Sequence, residues 1–224
     1  MIPKVIHYCW FGRNPKPQSV IDFIEGWKKV CPNYEIKEWN EDNFDVNMLP
    51  YTREAYKLKK YAFVSDVCRL HALINEGGIY LDTDVRLLKT FDSYLHHKSF
   101  ISKEVPFKVG TAVIGSEPHC TWLKTFYDTY INKHFIARNG LLNDLENTAI
   151  LTQLLNRLYP NYLDELEVYD IDIFCGKLYS KNQYMISDKT VAVHEYAGTW
   201  IKKNTGLMFR IKNIISRISV TSIK

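Results

Sequence analysis

Apolar and polar positions along the chain alternate between two periods. Residues 5–10 (VIHYCW) form a compact apolar run closed by Gly12, Pro15 and Pro17, which predicts a short buried strand. Ser19 is of a type that caps helices, and the spacing after it predicts a helix to Val30, stopped by Pro32. Residues 34–39 alternate as a strand and 40–45 are polar loop. Thr52 is expected to cap a long helix that runs through Asn75 and ends at Gly77 and Gly78. Further strands are predicted at 79–81, 99–102, 111–114, 167–169 and 191–194, and helices at 121–131 and 147–159. Strands alternating with helices predict an α/β layered fold with a mostly parallel sheet. No repeat, low-complexity tract or linker interrupts the pattern.

The chain has 224 residues, a length that suits one domain with a substantial core. Its five cysteines are scattered, odd in number and never spaced C-x-x-C, which argues against a zinc site or a disulfide framework and for a reducing compartment. No run reaches the roughly 20 apolar residues of a membrane span, so a cytoplasmic location is expected. The net charge of +4 is uneven. From Ile201 onward there are six basic residues and no acidic one, so the remaining body is mildly acidic. Nucleic acid is an unsuitable partner for such a body. Within 204–224, Leu207, Met208, Ile211, Ile214, Ile215 and Ile218 recur at helical spacing. They predict a basic amphipathic C-terminal helix, packed either on its own domain or on an anionic membrane surface, here the inner face of the plasma membrane.

Asp82 and Asp84 follow the apolar run 79–81 directly. In an extended strand they would face the same side, and two adjacent carboxylates repel unless a cation lies between them. Alone, a D-x-D is a solvated strand end or an Asx turn. Ligands of open α/β sheets bind beyond the carboxyl ends of the strands, where both this pair and Trp10 fall. On the preceding helix Asp66 and Arg69 are three apart and share a face within a largely apolar stretch. A surface ion pair is the plain reading, but a buried pair calls for extra partners such as ligand hydroxyls. His194 ends the strand at 191–194, ahead of Gly198 and Trp200. A lone histidine there is more often structural, yet two carboxylates and an imidazole suit Mn2+ or Mg2+, with substrate phosphates completing the shell.

Three segments, IPKVIHYCWFG, AFVSDVCRLHALINEGGIYLDTDV and VHEYAGTW, resemble the D-x-D glycosyltransferases of family GT32. That family includes capsule, lipopolysaccharide and Och1-type enzymes, and its central block is similar to the catalytic domain of large clostridial glucosylating toxins. The resemblance covers the first 90 residues and the stretch around 191–200. It implies a GT-A fold over 1–203, a nucleotide-sugar donor (a UDP-hexose above all), a divalent metal and retention of configuration. It also implies a glycan or lipid-linked oligosaccharide acceptor. By the same resemblance Trp10 stacks on the nucleotide base, Asp66 and Arg69 hold sugar hydroxyls, and Tyr80 lies beside the nucleotide. Asp82 and Asp84 are the catalytic, metal-binding pair, His194 is the third ligand, and Trp200 closes over the diphosphate. Relatives often carry two adjacent histidines where this chain has His194 and Glu195, of which His194 is the expected ligand. In ENTAIL many relatives carry Gly-Pro, so the roles of Glu146 and of Asn147, a candidate donor-binding residue, stay open.

Two other functions compete. A haloacid-dehalogenase-like phosphohydrolase also places D-x-D at a strand end. Its motif, however, opens the chain and has Thr or Val where this chain has Arg86. A non-catalytic sugar-binding protein would not require Trp10, Asp66, Arg69, Asp82, Asp84 and His194 together.

Overall fold

A computed structural model describes residues 1–158, 161–162 and 164–197. Strand β1 (Val5–Cys9) lies between β2 (Glu35–Trp39) and β3 (Gly78–Leu81), parallel to both. Beyond β3 come β6 (Lys108–Ser116), β5 (Ser99–Val105) and β7 (Glu167–Tyr169), completing the order β2-β1-β3-β6-β5-β7. Three of the five pairings are parallel, and β6 runs antiparallel to both neighbours. The expected mixed α/β sheet, mostly parallel, is what forms.

Two apolar cores cover the sheet. In β3, Tyr80 enters one core while Ile79 and Leu81 enter the other, as the pleat dictates. The Tyr80 core is built with α2 (Pro50–Lys57), α3 (Tyr61–Glu76), α4 (Thr121–Ile131) and α5 (Asn147–Leu158). The other packs α1 (Gln18–Val30) and α6 (Ile171–Phe174). Helix α1 buries Val20, Ile24 and Trp27, spaced four and three apart on one face. Burying Trp27 contributes about 2–3 kcal/mol, and its Nε1–H donates to Val85 O at 2.7 Å. This bond ties α1 to the chain just past the D-x-D.

The helix starts differ from expectation. Helix α1 begins at Gln18 with Pro17 as N-cap and no side-chain cap, so Ser19 lies inside it. The single helix expected from Thr52 to Asn75 is two helices. Pro50 occupies the first turn of α2, where its missing N–H costs nothing. Thr52 instead donates its hydroxyl to Leu49 O at 3.1 Å. Lys59, at φ 56°, breaks the chain between α2 and α3.

Helix α3 ends as expected at Gly77, whose φ is 66°. At Gly78, with φ 102°, a Cβ would lie 2.7 Å from Val5 O and 3.0 Å from His7 Nε2. Only glycine allows β3 to start this close to β1. His7 locks the junction. Trp39 Nε1–H donates to His7 Nδ1 at 3.0 Å, so the opposite nitrogen carries the proton and donates to Gly77 O at 2.7 Å. Burial pushes the His7 pKa down, in keeping with a neutral ring.

Strand β10 (Ala192–His194) does not join the main sheet. It pairs antiparallel with β4 (Val85–Leu87), His194 opposite Val85. Strands β8 (Lys177–Leu178) and β9 (Gln183–Tyr184) form a short hairpin. Among the described residues no helix is long and apolar enough to cross a membrane. Trp200 and the amphipathic stretch 204–224 lie outside the described residues.

Candidate active site

The D-x-D is a turn and not an extended strand end. Strand β3 stops at Leu81, Asp82 N–H donates to Ala112 O at 2.9 Å, and Val85 N–H closes back on Asp82 O at 3.0 Å. The two carboxylates are therefore brought together by the turn and not by the pleat. The turn feeds β4, and the β4–β10 pairing sets His194 beside it.

Ligand atoms of Asp82, Asp84 and His194 all lie within 4.8 Å of one another. His194 Nε2 is 3.2 Å from Asp84 Oδ1. Asp84 Oδ2 accepts from Ala197 N–H at 2.8 Å, and Asp84 O accepts from Glu195 N–H at 2.9 Å. Burial raises the Asp84 pKa, but the His194 ring and the Ala197 N–H outweigh it and hold the carboxyl below its ordinary value. Burial lowers His194, and the charges of Asp84, Asp82 and Glu104 reverse the sign and raise it. Carboxylate oxygens with one imidazole nitrogen are a donor set that fits a divalent cation such as Mn2+.

Of the two neighbouring candidates, His194 faces the aspartates and Glu195 turns away. Glu195 accepts from Arg86 Nε at 3.0 Å and Tyr184 OH at 2.7 Å, and pairs with Lys177 Nζ at 3.2 Å.

Asp66 and Arg69 pair on α3 at 2.9 Å, with side chains 12% and 5% exposed, so this is no surface ion pair. The Arg69 guanidinium reaches further. Its Nη2 is 3.3 Å from Asp82 Oδ1, its Nη1 donates to Thr111 O at 2.7 Å, and its Cζ sits 4.6 Å from the Tyr80 ring centroid. Tyr80 OH donates to Asp82 Oδ1 at 2.9 Å. Asp82 is thus held from below by Arg69 and Tyr80. Burial pushes the Asp66 carboxyl up to about 7. Arg69 opposes the shift and the nearby Asp82 charge adds to it.

Asn147 joins the network through Thr111, whose hydroxyl donates to Asn147 Oδ1 at 2.8 Å. Asn147 Nδ2 and Tyr130 OH are buried without a hydrogen-bond partner among the described residues. The Asp66 charge acts on Tyr130 and on Lys133, whose Nζ lies 5.2 Å from the Tyr51 and Tyr130 ring centroids. Buried donors left open are rare in finished cores, and each calls for a physical account such as a bound water or ion.

Trp10 stands at the exit of β1, pinned by Nε1–H donation to Asn14 O at 2.8 Å. It lines a cavity of about 230 Å3 with Arg13, Lys16, Glu38 and Asp42, and this cavity shares no residue with the aspartate cluster. Sequence reasoning missed Thr111, Tyr130 and Tyr196. Tyr196 sits at φ 54° with its ring 3.9 Å from that of His194. Its place in VHEYAGTW was the only signal for any of the three.

Residues 17–101 match the family model described as a glycosyltransferase sugar-binding region containing a DXD motif. The chain is 30% identical over 118 residues to inositol phosphoceramide mannosyltransferase 3 of Schizosaccharomyces pombe, covering 51% of this chain and 33% of that protein. It thus spans about a third of that relative's length. An uncharacterized glycosyltransferase of Acanthamoeba polyphaga mimivirus is 29% identical over 187 residues, 79% of this chain and 72% of that one. Among solved structures, the PaToxG glycosyltransferase superposes with a TM-score of 0.57 at 19% identity, covering 71% of this chain and 70% of that one. Residues 17–101, with the D-x-D turn at the end of β3, are thus similar to the sugar-binding region of the DXD glycosyltransferases, and the chain has a GT-A fold like that of the PaToxG glycosyltransferase.

Proposed function

We propose that this protein is a metal-dependent, retaining glycosyltransferase that moves a hexose from a nucleotide sugar, a UDP-sugar by preference, to a glycan acceptor of a surface polysaccharide such as capsule or O-antigen. The observation that carries this reading is the convergence of Asp82, Asp84 and His194 within 4.8 Å, next to the buried Asp66–Arg69 pair. Asp82, Asp84 and His194 would hold Mn2+ or Mg2+, which supplies charge neutralisation of the departing diphosphate.

The remaining work falls to the chain's own side chains. Arg69 keeps Asp82 in place. Asp66, paired with Arg69, offers hydrogen bonds to the hydroxyls of the donor sugar, fixing its orientation. Trp10 offers its ring to the base beside the 230 Å3 cavity, with Trp200 as the cover over the diphosphate. The acceptor hydroxyl forms a bond to the anomeric carbon as the bond from that carbon to the diphosphate oxygen breaks. The electron pair leaves with the nucleoside diphosphate, which also takes the hydroxyl proton. Attack on the face the leaving group departs from retains the configuration, and no carboxylate is assigned as a nucleophile.

The body works in the cytoplasm. The basic stretch 204–224 brings it to the inner face of the plasma membrane, where lipid-linked acceptors are presented.

The test is a panel of UDP- and GDP-sugars with and without Mn2+, scored for released nucleotide and for thermal stabilisation. Saturating donor is expected to stabilise the fold by about 3 kcal/mol at a hundred times Kd. A protein that neither releases nucleotide nor is stabilised by any of them, with metal present, would overturn the reading.

A further inference from the structure

Tyr196 lies two residues past His194, with φ 54°. A bulky side chain in the left-handed region is strained, and it persists only where its surroundings over-determine it. The Tyr196 ring is held on its face. It packs 3.9 Å from the His194 ring, centroid to centroid, with 33° between the planes. A third ring, Tyr179 of the short turn Tyr179–Lys181, follows at 5.1 Å from Tyr196.

The hydroxyl is held as well. Tyr196 OH lies 3.2 Å from Cys175 Sγ. The Cys175 thiol donates to Lys177 O at 3.3 Å, so toward Tyr196 the sulfur accepts and the hydroxyl donates. The Glu104 carboxylate faces the same hydroxyl. Burial first, then the Glu104 charge, push the Tyr196 pKa up, so the hydroxyl keeps its proton. Glu104 Oε2 is buried, accepts no hydrogen bond among the described residues and lies 3.7 Å from Lys108 Nζ.

Cys175 holds the main chain of the neighbouring histidine too, its carbonyl accepting from His194 N–H at 2.8 Å. A Cβ at Gly176 would lie 2.9 Å from Val193 Cγ2 and 3.0 Å from Ala192 O, so this loop presses directly on β10. One loop therefore fixes both the His194 backbone and the Tyr196 hydroxyl. On the far side of Tyr196, Ala197 N–H donates to Asp84 Oδ2 at 2.8 Å. Relaxing φ at Tyr196 would withdraw the ring from His194 and the N–H from Asp84 together.

Histidines that bind metals are commonly oriented by a partner outside the ligand set, usually through the second ring nitrogen. Here the partner meets the ring face. We propose that Tyr196 is a positioning residue, a clamp whose ring, braced by Cys175 and Glu104, holds the His194 imidazole with Nε2 toward Asp84. The proposal rests on the metal-dependent reading of the cluster and adds to it what orients the third ligand.

Two measurements on the full chain, without donor, test this. The first is Mn2+ binding by calorimetry. Glycine takes φ 54° without strain, so Tyr196→Gly removes the ring and permits the same backbone path. Its Mn2+ affinity should fall about tenfold or more, and Tyr196→Phe, which keeps the ring, should lose less. Tyr179→Ala alters a residue that is 54% exposed and serves if Tyr196→Gly does not fold; its affinity should fall about threefold. The second is NMR of the His194 ring protons. In the native protein they should be shifted upfield by the Tyr196 ring, and in Tyr196→Gly they should return to the positions of an unstacked histidine. An affinity unchanged in Tyr196→Gly, an equal loss in Tyr196→Phe, or unshifted ring protons in the native protein would overturn the clamp. Absence of Mn2+ binding by the native protein would instead overturn the metal reading, and the ring-proton shift would still decide whether Tyr196 holds His194.

Discussion

Arg69 Nη2 stands 3.3 Å from Asp82 Oδ1 while the same nitrogen is 2.9 Å from Asp66 Oδ1. One guanidinium thus joins the helix motif and the D-x-D into a single buried unit, and its other end is committed to Thr111 O. A lysine has the charge but not the planar fork that spans these three acceptors.

The first expectation follows from that geometry. Arg69→Lys should lose roughly 1–3 kcal/mol of stability in urea denaturation, because a buried acceptor is left unpaired. It should also weaken binding of an intact UDP-hexose more than binding of UDP, since Asp66 loses its orientation. Equal losses for the two ligands, read by calorimetry, would argue that Arg69 has no part in holding the sugar.

Asp84 offers a cleaner test of the cation site. Asp84→Asn keeps the shape, and the amide oxygen can still accept from Ala197 N–H. What it loses is the charge facing His194. Mn2+ binding by calorimetry should drop by about tenfold or more, and sugar transfer should nearly vanish while the fold stays close to native stability. Near-native turnover by a folded Asp84→Asn protein would remove the metal from the mechanism.

Much of this architecture could be read in advance, and the failures have physical causes. Helix α4 and strand β7 begin and end where their polar and apolar spacing predicts. The break between α2 and α3 was hidden because Leu58, Lys59 and Lys60 are good helix formers. Only the tertiary fit holds Lys59 at φ 56°. The capping signals at Ser19 and Thr52 were overruled by Pro17 and Pro50, each of which sets the first turn by itself. The aspartate pair was visible, yet its geometry comes from a turn that a period-two argument does not contain. Thr111 and Tyr130 reach Arg69 and Asp66 only through the β3–β6 pairing and the packing of α3 on α4. No local pattern marks such residues.

The basic stretch beyond Lys203 gives a third expectation. Its basic residues contribute about 1 kcal/mol each near an anionic surface. Full-length protein should therefore co-sediment with phosphatidylglycerol vesicles at low salt and be released at high salt. Protein truncated after Lys203 should keep donor hydrolysis and lose sedimentation. If the full chain ignores the vesicles at low salt, or the truncated chain fails to fold, the apolar stripe belongs to the core.

The last expectation concerns pH. Burial pushes the Asp66 carboxyl up to about 7 in the fold, against about 3.9 in an unfolded chain. Between these values the folded state binds more protons than the unfolded one, so the Asp66 contribution to stability is full below pH 4 and is lost as pH rises through 7. The cause is that Arg69 is shared with Asp82, so a second buried charge at Asp66 is only partly compensated. Asp66→Asn removes the titration. Without ligand, it should be more stable than the native protein at pH 8, by on the order of a few kcal/mol, and the difference should shrink toward pH 4. If Asp66 holds sugar hydroxyls as proposed, the same variant should bind UDP normally and an intact UDP-hexose poorly. A stability difference that does not change between pH 4 and 8 would show that Asp66 is ionised throughout and that Arg69 compensates it fully.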